Sequence, residues 1–149
     1  MVRAFSLPSN GLRYFIGFTL ARADHVAICS PWLSDVDIRL PLLPGVENRS
    51  LKLASAIDKL GTDVDFYIKS EEDHNEYAIS KLKNIATIVE VDDLHAKAIV
   101  TDEFVYMGSA NITQGGLHTN IELCEVLENE FDDVTEYIDA RLDFSPVRH

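Results

Sequence analysis

Two pairs of polar residues, with the members of each pair two positions apart, suggest a chemically active site in this sequence. His95 and Lys97 come just before an apolar run, and Ser109 and Asn111 follow the next apolar run. Residues two apart on a strand leave the same face, so each pair is predicted to present its side chains together. An imidazole beside an ammonium group makes a poor core, because cations repel and resist burial, but it makes a good anion site.

The two pairs are predicted to meet at one end of a sheet. Residues 95–101 and 104–107 read as strands joined at the turn Asp102-Glu103, and Gly108 permits a close backbone approach before Ser109. The resulting set can hold a tetrahedral phosphate, with Lys97 and Asn111 on its oxygens, Ser109 as a further donor and His95 as nucleophile. Because no carboxylate cluster with metal-ligand spacing accompanies this set, we expect a metal-free mechanism with no cofactor.

The spacing of these residues resembles the signature of the phospholipase D superfamily, which reads here as His95-x-Lys97, four residues, Asp102, five residues, and Gly108-Ser109-x-Asn111. The segments Ser30-Pro31-Trp32 and Asn120-x-Glu122 resemble the family's loop beside the active site and its downstream acidic element. The family's usual spacing before the glycine is six residues, and a loss of one residue alters the strand register. In the family the aspartate at this place is structural more often than catalytic, so by resemblance Asp102, together with Gly108, is read as a structural member of the motif.

The resemblance implies a homodimer, because the signature occurs once in 149 residues and the family's chemistry uses two copies. In short single-motif members, two subunits pool their motifs across a two-fold axis. One His95 would attack phosphorus to give a phosphohistidine, and the other would protonate the leaving oxygen. By resemblance, Glu122 would orient His95; the alternative is a plain exposed acid on a strand.

Two further residues are candidate substrate contacts. Trp32 is as readily a core or dimer contact as a substrate platform. His118 falls in the polar loop 111–120, which could overhang the site. The remaining histidines, His25, His74 and His149, show no partner pattern.

The rest of the chain reads as one α/β domain over residues 1–149. Helices are predicted from about 12 to 23, from 49 to 60 with Gly61 as the stop, from about 70 to 85, and over a last stripe of Phe131, Val134, Ile138 and Leu142. Strands are predicted at 26–30, 64–68, 87–91, 95–101, 104–107 and 121–127, and residues 32–45 are expected to be irregular. This order predicts a mixed β-sheet flanked by helices on both faces, the sandwich that the resemblance also implies.

Composition limits the class of protein. The chain is 46% hydrophobic and 26% charged, as expected of a globular domain. Cys29 and Cys124 lie in apolar runs and read as reduced thiols of a cytoplasmic protein. No apolar stretch reaches the roughly 18–20 residues of a membrane span. The apolar segment at 14–21 resembles a signal peptide but fits an amphipathic helix better, and we expect no stable membrane association.

The motif indicates the class of bond, a phosphodiester, more firmly than it indicates the substrate molecule. The first choice is a nuclease acting on DNA or RNA, because short single-motif members of the family resemble nucleases. The net charge of -12 argues mildly against nucleic acid, unless lysines gather near the cleft, with Lys52, Lys59, Lys81 and Lys83 as candidates. The second choice is a phospholipid or small phosphodiester hydrolase, although loop 111–120 offers little apolar surface. The third is a non-catalytic binding or dimerisation module of a larger protein.

Overall fold

A computed structural model describes residues 4–7, 11–47, 49–119 and 122–142, with the backbone alone at 4–7 and 118–119. Nine strands are present in these residues: β1 (Ala4–Leu7), β2 (His25–Cys29), β3 (Asp37–Arg39), β4 (Ser50–Lys52), β5 (Asp63–Lys69), β6 (Thr87–Val91), β7 (Ala98–Val100), β8 (Phe104–Gly108) and β9 (Cys124–Glu128). Seven of them form one sheet in the order β1-β9-β8-β7-β2-β5-β6, and β3 and β4 form a separate pair.

The sheet is mixed, as predicted. Strands β2, β5 and β6 are parallel to one another. Strand β7 pairs antiparallel with β2, and the meander β7-β8-β9 continues antiparallel to β1. The predicted pairing of the two motif strands is confirmed, because Ile99 lies opposite Tyr106 in the β7-β8 ladder.

Helices cover both faces of the sheet, which confirms the predicted architecture. The helices are α1 (Leu12–Arg22), α2 (Leu53–Leu60), α3 (Glu76–Leu82) and α4 (Val134–Tyr137), with short 3-10 and π segments at Asp73–Asn75, Gly115–Thr119 and Ile138–Leu142. Alternate residues of β2 serve the two faces: Ile28 packs in the core with α1, α2 and α3, whereas Ala27 and Cys29 pack with Val134 of α4. No helix in the described part of the chain is both long and apolar enough to span a bilayer.

Several local predictions differ from the structure. The helix predicted over 49–60 begins only at Leu53, because Ser50–Lys52 pairs with Asp37–Arg39 as a strand. The helix predicted over 70–85 is α-helical only over Glu76–Leu82. Residues 32–45, expected to be irregular, contain β3, which is only three residues long and is stabilised by pairing with β4. The strand predicted over 95–101 begins only at Ala98, so His95 and Lys97 lie in the extended segment before it. The β2 ladder places Cys29 opposite Ala98, and the nearby Pro31 has no N–H with which to continue the ladder.

Candidate active site

The carboxyl ends of β2 and β5 and the start of β7 meet at one end of the sheet, and a cavity of about 200 Å³ opens there. Its lining residues come from four separate stretches of the chain: Pro31, Trp32, Lys69, Leu94, His95, Lys97 and Asn111. Three of the residues predicted from the motif, His95, Lys97 and Asn111, therefore line one cavity. We call it the phosphate cavity below.

The His95–Lys97 segment has an anchored backbone and side chains that reach the cavity. Leu94 is buried at 4% exposure, and the Gly108 N–H donates to the Lys97 carbonyl at 3.3 Å. The ammonium of Lys97 donates back to the His95 carbonyl at 3.2 Å, which curls the lysine toward its neighbour. His95 itself is exposed, so its imidazole is accessible from solvent.

Asn111 is positioned by the loop after β2. Its side-chain Oδ1 accepts from the Trp32 N–H at 3.2 Å, and the next residue, Ile112, donates its N–H to Ser30 Oγ at 2.9 Å. The two loops also form a short parallel bridge between Leu33 and Ile112. These contacts hold the side chain of Asn111 at the cavity, where its amide nitrogen can donate a hydrogen bond to a ligand.

Two glycines allow the backbone to close around the motif. A Cβ on Gly108 would lie 2.6 Å from the Leu123 carbonyl oxygen, so the close approach expected at this glycine is confirmed. A Cβ on Gly116 would lie 1.9 Å from the carbonyl oxygen of Asn111. Glycine at position 116 is thus what allows the π-helical turn at Gly115–Thr119 to pack on the backbone of Asn111.

Ser109 and Glu122 form a pair beside the cavity. Ser109 Oγ donates to Glu122 Oε1 at 2.8 Å and accepts from the Leu123 N–H at 3.0 Å, so this serine joins the motif to the start of β9. Neither residue is among those that line the phosphate cavity. The role of Ser109 as a phosphate donor and that of Glu122 as a partner of His95 stay predictions.

Asp102 lies in the turn between β7 and β8, beyond the ends of these strands that are remote from the cavity. It is exposed there, and the turn is closed by Thr101 Oγ1, which accepts from the N–H groups of Glu103 and Phe104. This place suits the structural reading of Asp102.

A second cavity of about 310 Å³ adjoins the first, and Trp32 and Asn111 line both. Two of its lining side chains, Trp32 and His74, stack on each other with ring centroids 5.4 Å apart and planes at 26°. His74 Nε2 lies 3.1 Å from Ser34 Oγ. Its other lining residues are Ser34, Thr113, Gln114, Gly115, Gly116 and Glu122. The predicted contact His118 lies in the adjoining π-helical turn, but its side chain is outside the described part of the structure.

Three residues of the site were not predicted from the sequence. Lys69 ends β5 and adds a third nitrogen base to the phosphate cavity, and His74 stacks on Trp32. Asn75 is buried at 1% exposure, where it accepts from the Leu33 N–H and donates to the Pro31 carbonyl, both at 2.8 Å. All three lie at or just after the end of β5, and carboxyl ends of parallel strands meet at one edge, which is the signal that identifies them.

The charge around the phosphate cavity differs from that of the whole chain. His95, Lys97 and Lys69 line it, although the net charge of the protein is -12. The four lysines proposed for the cleft are not among its lining residues; Lys52, for example, pairs with Asp37 at 3.3 Å. A local cluster of cations in an acidic protein attracts a phosphate group while the rest of the surface repels polyanions.

Comparison with known proteins identifies the family of this chain. The family model described as "Cardiolipin synthase, PLD-like domain" matches residues 19–143. The chain belongs to the phospholipase D superfamily. Members of this superfamily are phosphodiesterases, which agrees with the bond class predicted from the motif. A comparison with curated protein sequences finds no match to this chain.

Solved structures of low sequence identity share the fold of this chain. The family member Nuc from Salmonella typhimurium is 16% identical, with a TM-score of 0.61 and coverage of 100% of this chain and 99% of that one. NucT from Helicobacter pylori is 17% identical, with a TM-score of 0.62 and coverage of 96% and 92%. The phosphatidylserine synthase of Haemophilus influenzae is 11% identical, with a TM-score of 0.63, and 40% of its chain is covered.

Proposed function

We propose that this protein is a nuclease that hydrolyses phosphodiester bonds of DNA or RNA, with His95 as its nucleophile. The observation that carries the proposal is the phosphate cavity, where His95, Lys97, Lys69 and Asn111 converge. Two lysines and an amide around an exposed imidazole neutralise and orient a phosphodiester without occupying the nucleophile.

The reaction proceeds in two displacements at phosphorus. A ring nitrogen of His95 attacks the phosphodiester, the P–O bond to the leaving group breaks, and a phosphohistidine forms. A second, protonated histidine gives its proton to the departing oxygen and then removes a proton from water. That water attacks phosphorus, the P–N bond breaks, and His95 is regenerated. Lys97 and Asn111 stabilise the charge on the equatorial oxygens in both steps.

The second histidine is His95 of another copy of the chain. The described part of the sequence holds one such motif, and His74, which lines the second cavity, is stacked on Trp32. In a shared site, one His95 acts as the nucleophile and the other donates the proton to the leaving oxygen. A homodimer with a shared site therefore supplies both the nucleophile and the acid.

Nucleic acid is favoured as the substrate by the shape and size of the chain. The chain covers 99% of Nuc and 92% of NucT, so it resembles the short single-domain members of the family in length. By resemblance, such single-motif members are nucleases. The acidic surface limits attraction to the locally cationic cavity, so binding is expected to involve few phosphates and to depend only weakly on salt.

The test combines a cleavage assay in EDTA with a gel-filtration mass. The wild type is expected to cleave plasmid or oligonucleotide in EDTA and to elute as two chains. His95→Ala should abolish cleavage, whereas His25→Gln should retain it, because His25 pairs with Asp65 at 2.8 Å at the other end of β2.

Three results would contradict the proposal. Turnover of phosphatidylcholine or bis-p-nitrophenyl phosphate without cleavage of nucleic acid would replace it with the lipid or small-diester hydrolase. No turnover of any diester would indicate the non-catalytic module. If His95→Ala still cleaved nucleic acid, His95 would be excluded as the nucleophile.

A further inference from the structure

The second cavity differs from the phosphate cavity in the chemistry of its walls. Within the described residues it is lined by no lysine or arginine and by one carboxylate, Glu122. Hydroxyl and amide groups surround it, from Ser34, Thr113, Gln114 and Asn111. Such walls disfavour a second phosphate and suit an uncharged group that both donates and accepts hydrogen bonds.

The floor of this cavity is an aromatic platform. Trp32 is 47% exposed, and the stacked His74 supports only part of its indole. The backbone beneath the platform is rigid, because Asn75 binds Pro31 and Leu33 on either side of Trp32, and Trp32 itself donates to Asn111. A large exposed indole held on a fixed loop binds a flat ring by stacking at little entropic cost.

The two cavities share Trp32 and Asn111, so groups bound in them lie close enough together to be parts of one substrate. A volume of about 310 Å³ lies at the low end for ligand pockets and is enough for a single flat heterocycle. A base of a duplex is already stacked on both sides and cannot use this platform without leaving the helix. An unpaired base is free to stack.

We infer that the stacked pair of Trp32 and His74 binds one unpaired nucleobase next to the scissile phosphate, so that the enzyme selects single-stranded nucleic acid. This inference rests on the proposed nuclease function. Thr113 and Gln114 lie at the cavity wall to meet the edge of the base, and the hydroxyl and amide groups there accept more than one kind of base.

A cationic lipid headgroup is the competing occupant, since Trp32 and Glu122 could attract an ammonium group. The structure favours the base, because Glu122 is the one carboxylate among the described lining residues, and the rest of the wall consists largely of hydroxyl and amide groups that donate and accept hydrogen bonds.

The binding test uses intrinsic fluorescence, because Trp32 is the single tryptophan of the chain. The His95→Gln variant is titrated with tetrathymidylate, with an abasic tetranucleotide of the same backbone, and with phosphocholine. Tetrathymidylate should quench the emission and bind about 10-fold more tightly than the abasic chain, which should not quench. Equal affinity and equal quenching by the two chains would overturn the base site, and quenching by phosphocholine alone would assign the cavity to a headgroup.

The kinetic test separates this inference from the nuclease proposal. Trp32→Ala should lower kcat/KM on tetrathymidylate by about 10-fold and on the abasic chain by clearly less, while Trp32→Phe should retain most of the activity on both. Phe18→Ala is the matched control, since Phe18 is 42% exposed and lies beside Arg22 and Glu103 at the other end of the sheet. Wild-type cleavage of both chains at one rate, insensitive to Trp32, would reject the base site and keep the nuclease. Quenching by bases without any cleavage would reject the nuclease and keep the base site.

Discussion

At one end of the central sheet, the guanidinium of Arg22 donates two hydrogen bonds, of 2.9 and 3.2 Å, to the carboxylate of Glu103. Nearby, Asn129 donates to the Thr101 carbonyl at 2.8 Å and accepts from the Phe131 N–H at 2.9 Å. At the other end, hydrogen bonds fix the backbone of the loops, while the tips of His95, Lys97 and Lys69 line a cavity.

The difference between the two ends separates polar groups that hold the fold from polar groups that are available to a ligand. A side chain whose hydrogen bonds are met inside the protein has little left to offer a substrate. At the cavity end, Ser30 and Asn75 make the hydrogen bonds that hold the loops. Lys97 uses one of its three ammonium donors on the His95 carbonyl, so donors remain available to a ligand. Variants at the cavity end should therefore change the kinetics, whereas variants at the other end should change stability and leave the kinetics unaffected.

The largest difference in activity between variants at the two ends is expected when a positive charge is removed at the cavity. Lys97→Met should lower kcat/KM for phosphodiester hydrolysis by about 10²–10³-fold, because it removes a preorganised cation from the developing charge on phosphorus. Its Tm should stay close to that of the wild type. Arg22→Met at the other end is the control and should leave kcat/KM unchanged; a similar loss in both variants would mean that the two ends do not differ in function.

Gly116 tests how strictly Asn111 is positioned. Gly116→Ala places a Cβ at 1.9 Å from the Asn111 carbonyl oxygen, so the backbone must shift. We expect kcat to fall by about 10-fold or more, since displacements of about 1 Å at a site are costly. Gly61→Ala is the control: Gly61 ends α2 at the other end of the sheet with φ 69°, and a Cβ there meets nothing within 4 Å. This control should lose stability through its backbone conformation but keep its activity; activity retained by Gly116→Ala would contradict the assigned role.

Two buried asparagines, one at each end, separate stability from activity. Asn75→Ala and Asn129→Ala should each lower the free energy of unfolding by about 1–3 kcal/mol, because each leaves buried backbone groups unbonded. Only Asn75→Ala should also lower kcat/KM, since it releases the loop that carries Trp32. Urea unfolding and kinetics on the same samples measure both effects. Equal activity in the two variants would contradict the functional difference between the two ends of the sheet.

At neutral pH the smallest effect is that of the Cys29 thiol, because its contribution to stability changes only in alkaline solution. Burial raises the pKa of the Cys29 thiol from 9.0 to about 12, because the thiolate would lie in an apolar core. The unfolded chain loses this proton near pH 9 and the folded chain keeps it, so stability falls as pH rises from 9 to 12, by about 1.4 kcal/mol per pH unit. Unfolding of wild type and Cys29→Ala across this range should show a steeper decline in the wild type; parallel curves would refute the burial effect.

Much of the architecture could be predicted from residue patterns. Leu53, Ile57 and Leu60 share the face of α2, and Gly61 ends that helix in a left-handed conformation. Strand β6 has the predicted bounds, and the two motif strands pair through the predicted turn. Long periodic segments carry their structure locally, so these elements are readable one at a time.

The strands that were missed, or predicted too long, depend on partners remote in sequence. Strand β3 exists because β4 lies beside it, and Ala4 of β1 pairs with Leu127 of β9. Three or four residues bury too little surface to fix a strand by their own pattern, so pairing decides. The same cause shortened β7, since its neighbour β2 ends at Cys29.

The sequence by itself determined three groups that meet at the cavity: His95, Lys97 and Asn111 stand at spacings that resemble a known motif, and this pattern lies within a short stretch of chain. Only the tertiary structure decided their neighbours. Lys69, His74 and Asn75 reach the site because β5 lies parallel to β2 and ends at the same edge, and strand order is set by burial across the whole sheet rather than by any local pattern.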